Sequence, residues 1–237
     1  MSLAMKLLLI SNSTNFGEAY LDHCIDEMRR ALDSINRIAF VPFAVFDRVK
    51  YGQAAAARFD QAGIRVDVVT ADPDGRQLLD EVDAVFVGGG NTFRLLRTLQ
   101  DSGLLEHLAA RVRAGMVYMG ASAGSNIAAP TIKTTNDMPI VEPSSFDALG
   151  LVPFQINPHY IDPEPASSHM GETREQRLNE FLEENESPVL ALREGAWLRI
   201  EGGQAILGGK NGARIFRRDL EPEERATGAS ILDLLGR

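Results

Sequence analysis

The stretch Met116–Asn126, which reads M-V-Y-M-G-A-S-A-G-S-N, constrains the fold more than any other part of the chain. Met116–Met119 is apolar or aromatic and includes the β-branched Val117, the texture of a short buried strand. Gly120-Ala121-Ser122-Ala123-Gly124 follows as a G-x-S-x-G pattern, and a helix-like run continues to Ala129 before Pro130 stops it. A strand that reverses into a helix at one residue brings two backbones close together, so only small flanking residues fit. The pattern predicts a nucleophile elbow, with the Ser122 hydroxyl raised at the mouth of a sheet above the positive end of a helix. The plainer reading is a structural glycine turn, which the same residues also satisfy.

The first half of the chain supplies the rest of such a sheet. Met5–Ile10, Arg37–Phe43, Ile64–Thr70 and Ala84–Val87 are near-continuous apolar runs that read as strands. Between them, apolar residues recur at helical spacing in Glu18–Leu32, Tyr51–Ala62, Gln77–Glu81, Thr92–Gln100 and Leu104–Ala114. This alternation predicts a flavodoxin-like α/β fold, a mostly parallel sheet with helices on both faces. Ligands in such folds bind beyond the carboxyl ends of the strands, where both Gly88–Asn91 and Ser122 fall. In the second half, Thr131–Asp137 reads as a polar β-like segment. Leu151–Ile156 reads as a strand running into Asn157-Pro158-His159, and Glu172–Glu184 as a helix. Pro188–Leu192 is a strand ending in Arg193-Glu194-Gly195. Trp197–Ile200, Gln204–Leu207 and Ala213–Phe216 form an expected antiparallel edge, and Ser230–Leu235 a closing helix. No repeat or linker interrupts residues 1–237, which are read as one α/β domain, with Met1–Ala4 as a leader ahead of Met5.

A net charge of −9 and an isoelectric point near 5.0, with no basic stripe, argue against a nucleic-acid surface. The chain has one cysteine, Cys24, so no internal disulfide can form, which fits a reducing cytoplasm. No apolar run reaches the length of a membrane span, and the N-terminus does not read as a signal peptide. The expectation is a cytoplasmic protein acting on a small molecule, without membrane or nucleic-acid partners.

A serine nucleophile needs a base, and the base needs an acceptor that fixes its tautomer. Of the four histidines, His23 and His107 fall within helical patterns. His159 follows a predicted strand directly, stiffened by Pro158, and is the leading candidate, with His169 in a polar loop next. Glu194, at the carboxyl end of a predicted strand, and Asp137 are rival acceptors. The Ala123 N–H, together with amides of Gly88-Gly89-Gly90, can form an oxyanion hole, because glycine permits the conformations that turn successive amides inward. The glycine run lacks the lysine of a P-loop and the G-x-G-x-x-G spacing, so phosphate binding is a weak alternative. No histidine sits at metal-ligand spacing with Cys or Glu, and neither metal nor cofactor is expected.

Taken together these blocks resemble peptidase E, the α-aspartyl dipeptidase family of serine peptidases. The resemblance runs from Leu7–Thr14 to Leu207-Gly208-Gly209. It is carried by Val87-Gly88-Gly89-Gly90-Asn91-Thr92-Phe93, the block around Ser122, Thr134–Val141, Ile156-Asn157-Pro158-His159 and Gly171–Arg177. It implies a fold like that of class I glutamine amidotransferases and cleavage of dipeptides with an N-terminal aspartate. By the same resemblance Ser122 is the nucleophile, His159 the base and Glu194 the third member, with Asp137 also implicated. Ala121 departs from the family, where a tryptophan is familiar, and bears on the pocket wall; Ser125-Asn126 is a smaller departure.

An aspartyl dipeptide brings a β-carboxylate and a free amine. Arg174, in the first turn of a predicted helix where a cation is disfavoured by the dipole, is the candidate for the carboxylate, and Asn91 and Asp137 for the polar ends. Gly90 or Gly89, with Ala123, would hold the oxyanion. The order Ser…His…Glu differs from that of the α/β-hydrolases. Two other readings stand beside the dipeptidase: a cyanophycinase-like serine hydrolase of β-linked aspartyl peptides, and a non-catalytic sensor or binding module. A monomer and a homodimer are both compatible with the sequence.

Overall fold

Strands buried on both faces need cover from two sides, and this requirement sets the architecture. The computed structural model describes residues 5–163 and 171–236. In its first half, β1 (Leu7–Ile10), β2 (Arg37–Val41), β3 (Arg65–Val68), β4 (Ala84–Val87) and β5 (Val117–Ala121) alternate with helices. The helices are α1 (Ile25–Leu32), α2 (Arg48–Asp60), α3 (Pro73–Glu81), α4 (Thr92–Asp101) and α5 (Leu104–Arg113). There follow α6 (Ala123–Asn126), β6 (Gln155–Tyr160), α7 (Arg174–Glu184), β7 (Val189–Arg193), β8 (Ala196–Glu201), β9 (Gln204–Gly209), β10 (Ala213–Phe216) and β11 (Glu223–Arg225). A 3-10 turn covers Leu232–Leu235.

The central sheet has seven strands in the order β3-β2-β4-β5-β1-β8-β9. The five strands from the first half run parallel, and β8 and β9 close the β1 side antiparallel. Alternate residues of β1 feed opposite cores: Leu7 and Leu9 join the face covered by α4 and α5, Leu8 and Ile10 the face covered by α1 and α2. The fold is the expected α/β class. Among the described residues no helix is long and apolar enough to cross a membrane.

A second sheet, of four strands in the order β11-β10-β7-β6, was not expected. Only the first two segments of the predicted antiparallel edge join the central sheet; Ala213–Phe216 pairs with β7 instead. β6 also begins later than the apolar run Leu151–Ile156, so His159 lies inside a strand rather than after it. Pro158 has no N–H for a ladder, and the pairing of β6 with β7 slips between Asn157 and Tyr160. Thr131–Asp137 is no strand and makes only an isolated bridge from Thr131 to Asp147. The first helix starts at Ile25 rather than Glu18 because Leu21 takes a φ of +62°, outside helical space. The closing helix is the short 3-10 turn.

Two helix starts matter for the site. Asn91 caps α4, its side chain accepting from the Arg94 N–H at 3.0 Å. Thr173 and Gln176 form a capping box that starts α7, fixing where Arg174 enters. Caps of this kind contribute about 1 kcal/mol each.

Candidate active site

The carboxyl ends of β1, β4 and β5 meet the bulged end of β6, and a cleft of about 700 Å³ opens there. Ser122 stands at the turn from β5 to α6 with φ +53° and ψ −113°. The Ser122 N–H donates to the Ile10 carbonyl at 3.0 Å, tying the turn to β1. The two flanking glycines are required by contact: a Cβ on Gly120 would run into the Gly124 carbonyl, and one on Gly124 into that of Val87. α6 is a single turn, so the expected support from an extended helix dipole is small and individual N–H groups must carry it.

His159 reaches this serine from the second sheet. Its Nε2 lies 3.0 Å from Ser122 Oγ, and its Nδ1 lies 2.8 Å from Glu194 Oε1. Glu194 follows β7 directly, and the next residue, Gly195, donates its N–H to Asn12 Oδ1 at 2.7 Å. The Glu194 side chain is 52% exposed, so water screens its charge. Five non-glycine residues have positive φ among the described residues, and Ser122 and His159 (φ +54°) are two of them. Paired outliers facing each other across a cleft mark a backbone held in place for function.

Gly89 lies against Ser122: a Cβ there would come within 3.0 Å of Ser122 Cβ. Gly90 has φ +133° and packs on the Ala44 carbonyl. The N–H groups of Gly90 and Ala123 have no acceptor among the described residues, which leaves both free for an oxyanion. The Gly89 N–H instead approaches the Tyr51 hydroxyl, stabilising its ionised form, without closing a full hydrogen bond.

The structure separates the two rival carboxylates. Asp137 is not the partner of His159, because its Oδ2 accepts from the Thr92 N–H (2.7 Å), Thr92 Oγ1 (2.6 Å) and Thr135 Oγ1 (3.2 Å). This anion sits at the start of α4, where the unpaired amides favour it, and it still lines the cleft. Arg174 lines the same side. Burial is the main influence holding its guanidinium below the usual value, Arg177 adds to it, and nearby Asp137 opposes both. Asn91 caps α4 through its side-chain oxygen, and its Nδ2 donates to the Met138 carbonyl at 2.8 Å. Ala121 is fully buried among Ile10, Met119 and their neighbours and does not form the pocket wall. His169 lies outside the described residues. His107 sits on α5, 3.0 Å from Asp80.

Sequence reasoning missed Ser11 and the two tyrosines of the cleft. Ser11 is fully buried; its hydroxyl donates to the Leu192 carbonyl at 2.9 Å and accepts from the His159 N–H at 2.9 Å. One hydroxyl at the end of β1 thus holds both β6 and β7. The available signal was the polar run Ser11-Asn12-Ser13-Thr14 placed directly after a fully apolar strand. Asn136 assists by donating to the Pro158 carbonyl at 2.8 Å.

Comparison with known proteins adds to this geometry. Residues 7–208 match the description of peptidase family S51. The chain is 57% identical over 231 residues to "Peptidase E" of Streptomyces coelicolor, covering 98% of this chain and 95% of that protein. It is 45% identical over 238 residues to the "Probable alpha-aspartyl dipeptidase" of Drosophila melanogaster, covering 99% of each. The crystal structure of a peptidase from an acI-B1 Actinobacterium superposes with a TM-score of 0.74 over 96% of each chain; at 16% identity this speaks to the fold alone.

Proposed function

Because the chain belongs to peptidase family S51, we propose that its cleft hydrolyses Asp-X dipeptides, with Ser122 as nucleophile, His159 as general base and Glu194 as the group that orients the imidazole. The activity is that of a serine-type dipeptidase acting on Asp-X bonds. The observation that carries the assignment of residues is the unbroken line from Ser122 Oγ to His159 Nε2 and from His159 Nδ1 to Glu194, at 3.0 and 2.8 Å.

In this scheme Ser122 Oγ attacks the aspartyl carbonyl carbon while its proton passes to His159 Nε2. The carbonyl oxygen becomes an oxyanion between the N–H groups of Gly90 and Ala123, donors of the kind whose loss costs about 10²-fold or more in kcat. The C–N bond then breaks, and His159 Nε2 gives its proton to the departing amine. An aspartyl ester on Ser122 remains. Water, deprotonated by His159, attacks that ester and releases aspartate with the serine restored.

Arg174 pairs with the β-carboxylate of the substrate. Asp137, whose Oδ1 is not used in holding Thr92, faces the free amine. The test is hydrolysis of Asp-p-nitroanilide beside the Glu, Asn, Ala and β-aspartyl analogues, with Ser122→Ala as control. Preference for the α-aspartyl compound, lost in Ser122→Ala, is the expected result. Turnover of the β-linked analogue instead, or activity that survives Ser122→Ala, would overturn the scheme. Arg174→Met is expected to lower selectivity for aspartyl over alanyl substrates.

A further inference from the structure

The cleft carries two phenols that the scheme above does not use. Tyr20 lies in the loop between β1 and α1, and Tyr51 lies on α2; both line the cleft with Ser122. They pack on the sheet face that holds Ile10, Phe40 and Ala121. The apolar side of α4, whose first residue Thr92 holds Asp137, packs on the opposite face with Ile127 and Ile156. Ser122 therefore stands between a charged wall with Asp137 and Arg174 and a phenolic wall with Tyr20 and Tyr51.

The phenolic wall is built to a fixed position. The two rings meet edge to face at 6.2 Å, and Tyr51 meets Phe40 likewise at 5.0 Å. Arg58 Nε holds the Tyr20 carbonyl at 2.9 Å and its Nη2 pairs with Asp22 at 3.1 Å. A Cβ on Gly88 would come within 2.6 Å of Tyr51 Oη, and the next residue, Gly89, abuts the nucleophile. Burial raises both phenols above their ordinary range, so both stay protonated as donors. Both side chains are partly buried where they line the cleft, and a Tyr hydroxyl in such a place ordinarily finds a hydrogen-bond partner. Here the only side-chain partner of each among the described residues is the other hydroxyl, at 3.5 Å. That contact engages at most one of the two protons.

We propose that Tyr20 and Tyr51 form the subsite for the α-carboxylate of the leaving residue and thereby restrict the enzyme to dipeptides. The inference rests on the reading under Proposed function. A carbonyl carbon fixed between Ser122 Oγ and the amides of Gly90 and Ala123 has its two substituents on opposite sides. With the aspartyl residue toward Arg174 and Asp137, the leaving residue points to the phenols. In a dipeptide that residue ends in a carboxylate, which accepts from both hydroxyls. In a longer peptide or an amide the same position offers one weaker, neutral acceptor.

The experiment compares kcat/KM for Asp-Leu, Asp-leucinamide and Asp-Leu-Gly in the wild type, Tyr20→Phe, Tyr51→Phe and the double variant. The readout is the ratio of free acid to amide within each protein, so a general loss of activity cancels. The wild-type ratio is expected to be about 10-fold or more, the value of a charge-assisted bond, and to fall toward one in the double variant. A wild-type ratio near one, or a ratio that survives both substitutions, would overturn the proposal. The wild-type comparison needs no variant to fold. Asp-p-nitroanilide, which has no leaving carboxylate, separates the two readings. No turnover of any aspartyl substrate removes both, whereas its turnover with an acid-to-amide ratio of one removes only the subsite.

Discussion

β1, β4 and β5 are buried on both faces, each between two layers of helices, whereas β6 and β7 share one face with the main core and cover the other with α7. The first group carries Ser122, the proposed nucleophile, and the amides of the glycine loop. The second carries His159 and Glu194. Within the central sheet, apolar burial suffices, because ladder register and side-chain alternation fix each residue. Between the sheets it does not, since hydrophobic contact has no direction. The buried polar side chains gather at that junction. Asn126 and Thr134 both donate to the Ile156 carbonyl, at 2.6 and 2.9 Å, and Asn157 donates to that of Thr134 at 2.8 Å. With Ser11 and Asn12 they align one sheet against the other by directional bonds. Burial makes the nucleophile's platform stiff, and a polar seam sets where the base stands over it.

The strongest way to break this comparison is to ask whether the two sheets act as one unit. Ser122→Ala and His159→Ala each remove a group from a different sheet, and each is expected to lower kcat/KM by about 10⁴-fold or more. The double variant is expected to lose no more than either single one. Multiplicative losses in steady-state hydrolysis of Asp-p-nitroanilide would mean that the two halves contribute independently. A smaller effect tests the second sheet alone. Glu194→Gln leaves a side chain of the same shape that no longer supplies a charge, and about 10²-fold in kcat is expected. That is less than for a buried triad carboxylate, because Glu194 is half-exposed. A loss confined to KM would remove Glu194 from the chemistry.

The seam itself is tested by Ser11→Ala. The variant removes the hydroxyl that joins β1 to the His159 amide and the Leu192 carbonyl. A bond of this kind contributes about 1 kcal/mol, and the expected result is about a 5-fold fall in kcat with little change in KM. Equal kcat with lowered thermal stability would show that Ser11 serves the fold and not the alignment of the base.

The same contrast explains what the sequence made legible. The inner strands β1, β4 and β5 are apolar because both faces are covered, so the run Ala84–Val87 marks its strand with the bounds it has. The elbow was legible because close backbone approach demands glycine. β6 was displaced because its last residues, Asn157-Pro158-His159, are polar or cannot pair, and their strand conformation comes from bonds to Ser11, Asn136 and β7. Sequence periodicity carries no signal for a contact between residues 148 positions apart. Asn91, a candidate for the substrate's polar ends, has its side chain engaged as the cap of α4. Tyr20 and Tyr51 carry no motif, and only the fold brings them to the cleft.

The smallest predicted effect concerns how the seam responds to acid. His23 lies in the loop between β1 and α1, and neither ring nitrogen has a partner among the described residues. Burial is the main influence and holds its imidazole below the ordinary value of 6.5; Lys210 acts in the same direction, while Glu18, the Asn12 backbone and Asp22 oppose it. Around it, Asn12 bonds Asn15 at 2.7 Å, Asn15 bonds Glu18 at 2.9 Å, and Glu18 pairs with Lys210. The sign follows from linkage. Above pH 6.5 the imidazole is neutral in both folded and unfolded chains and contributes no pH dependence. As pH falls below that value the unfolded chain takes up a proton that the folded chain resists, so folding stability declines. The carboxylates held low by partners, such as Asp67 and Asp162, lose their contribution only at more acid pH. The urea midpoint is therefore expected to fall between pH 7 and pH 5, and His23→Asn to flatten that fall. An unchanged slope in His23→Asn would place the acid sensitivity elsewhere.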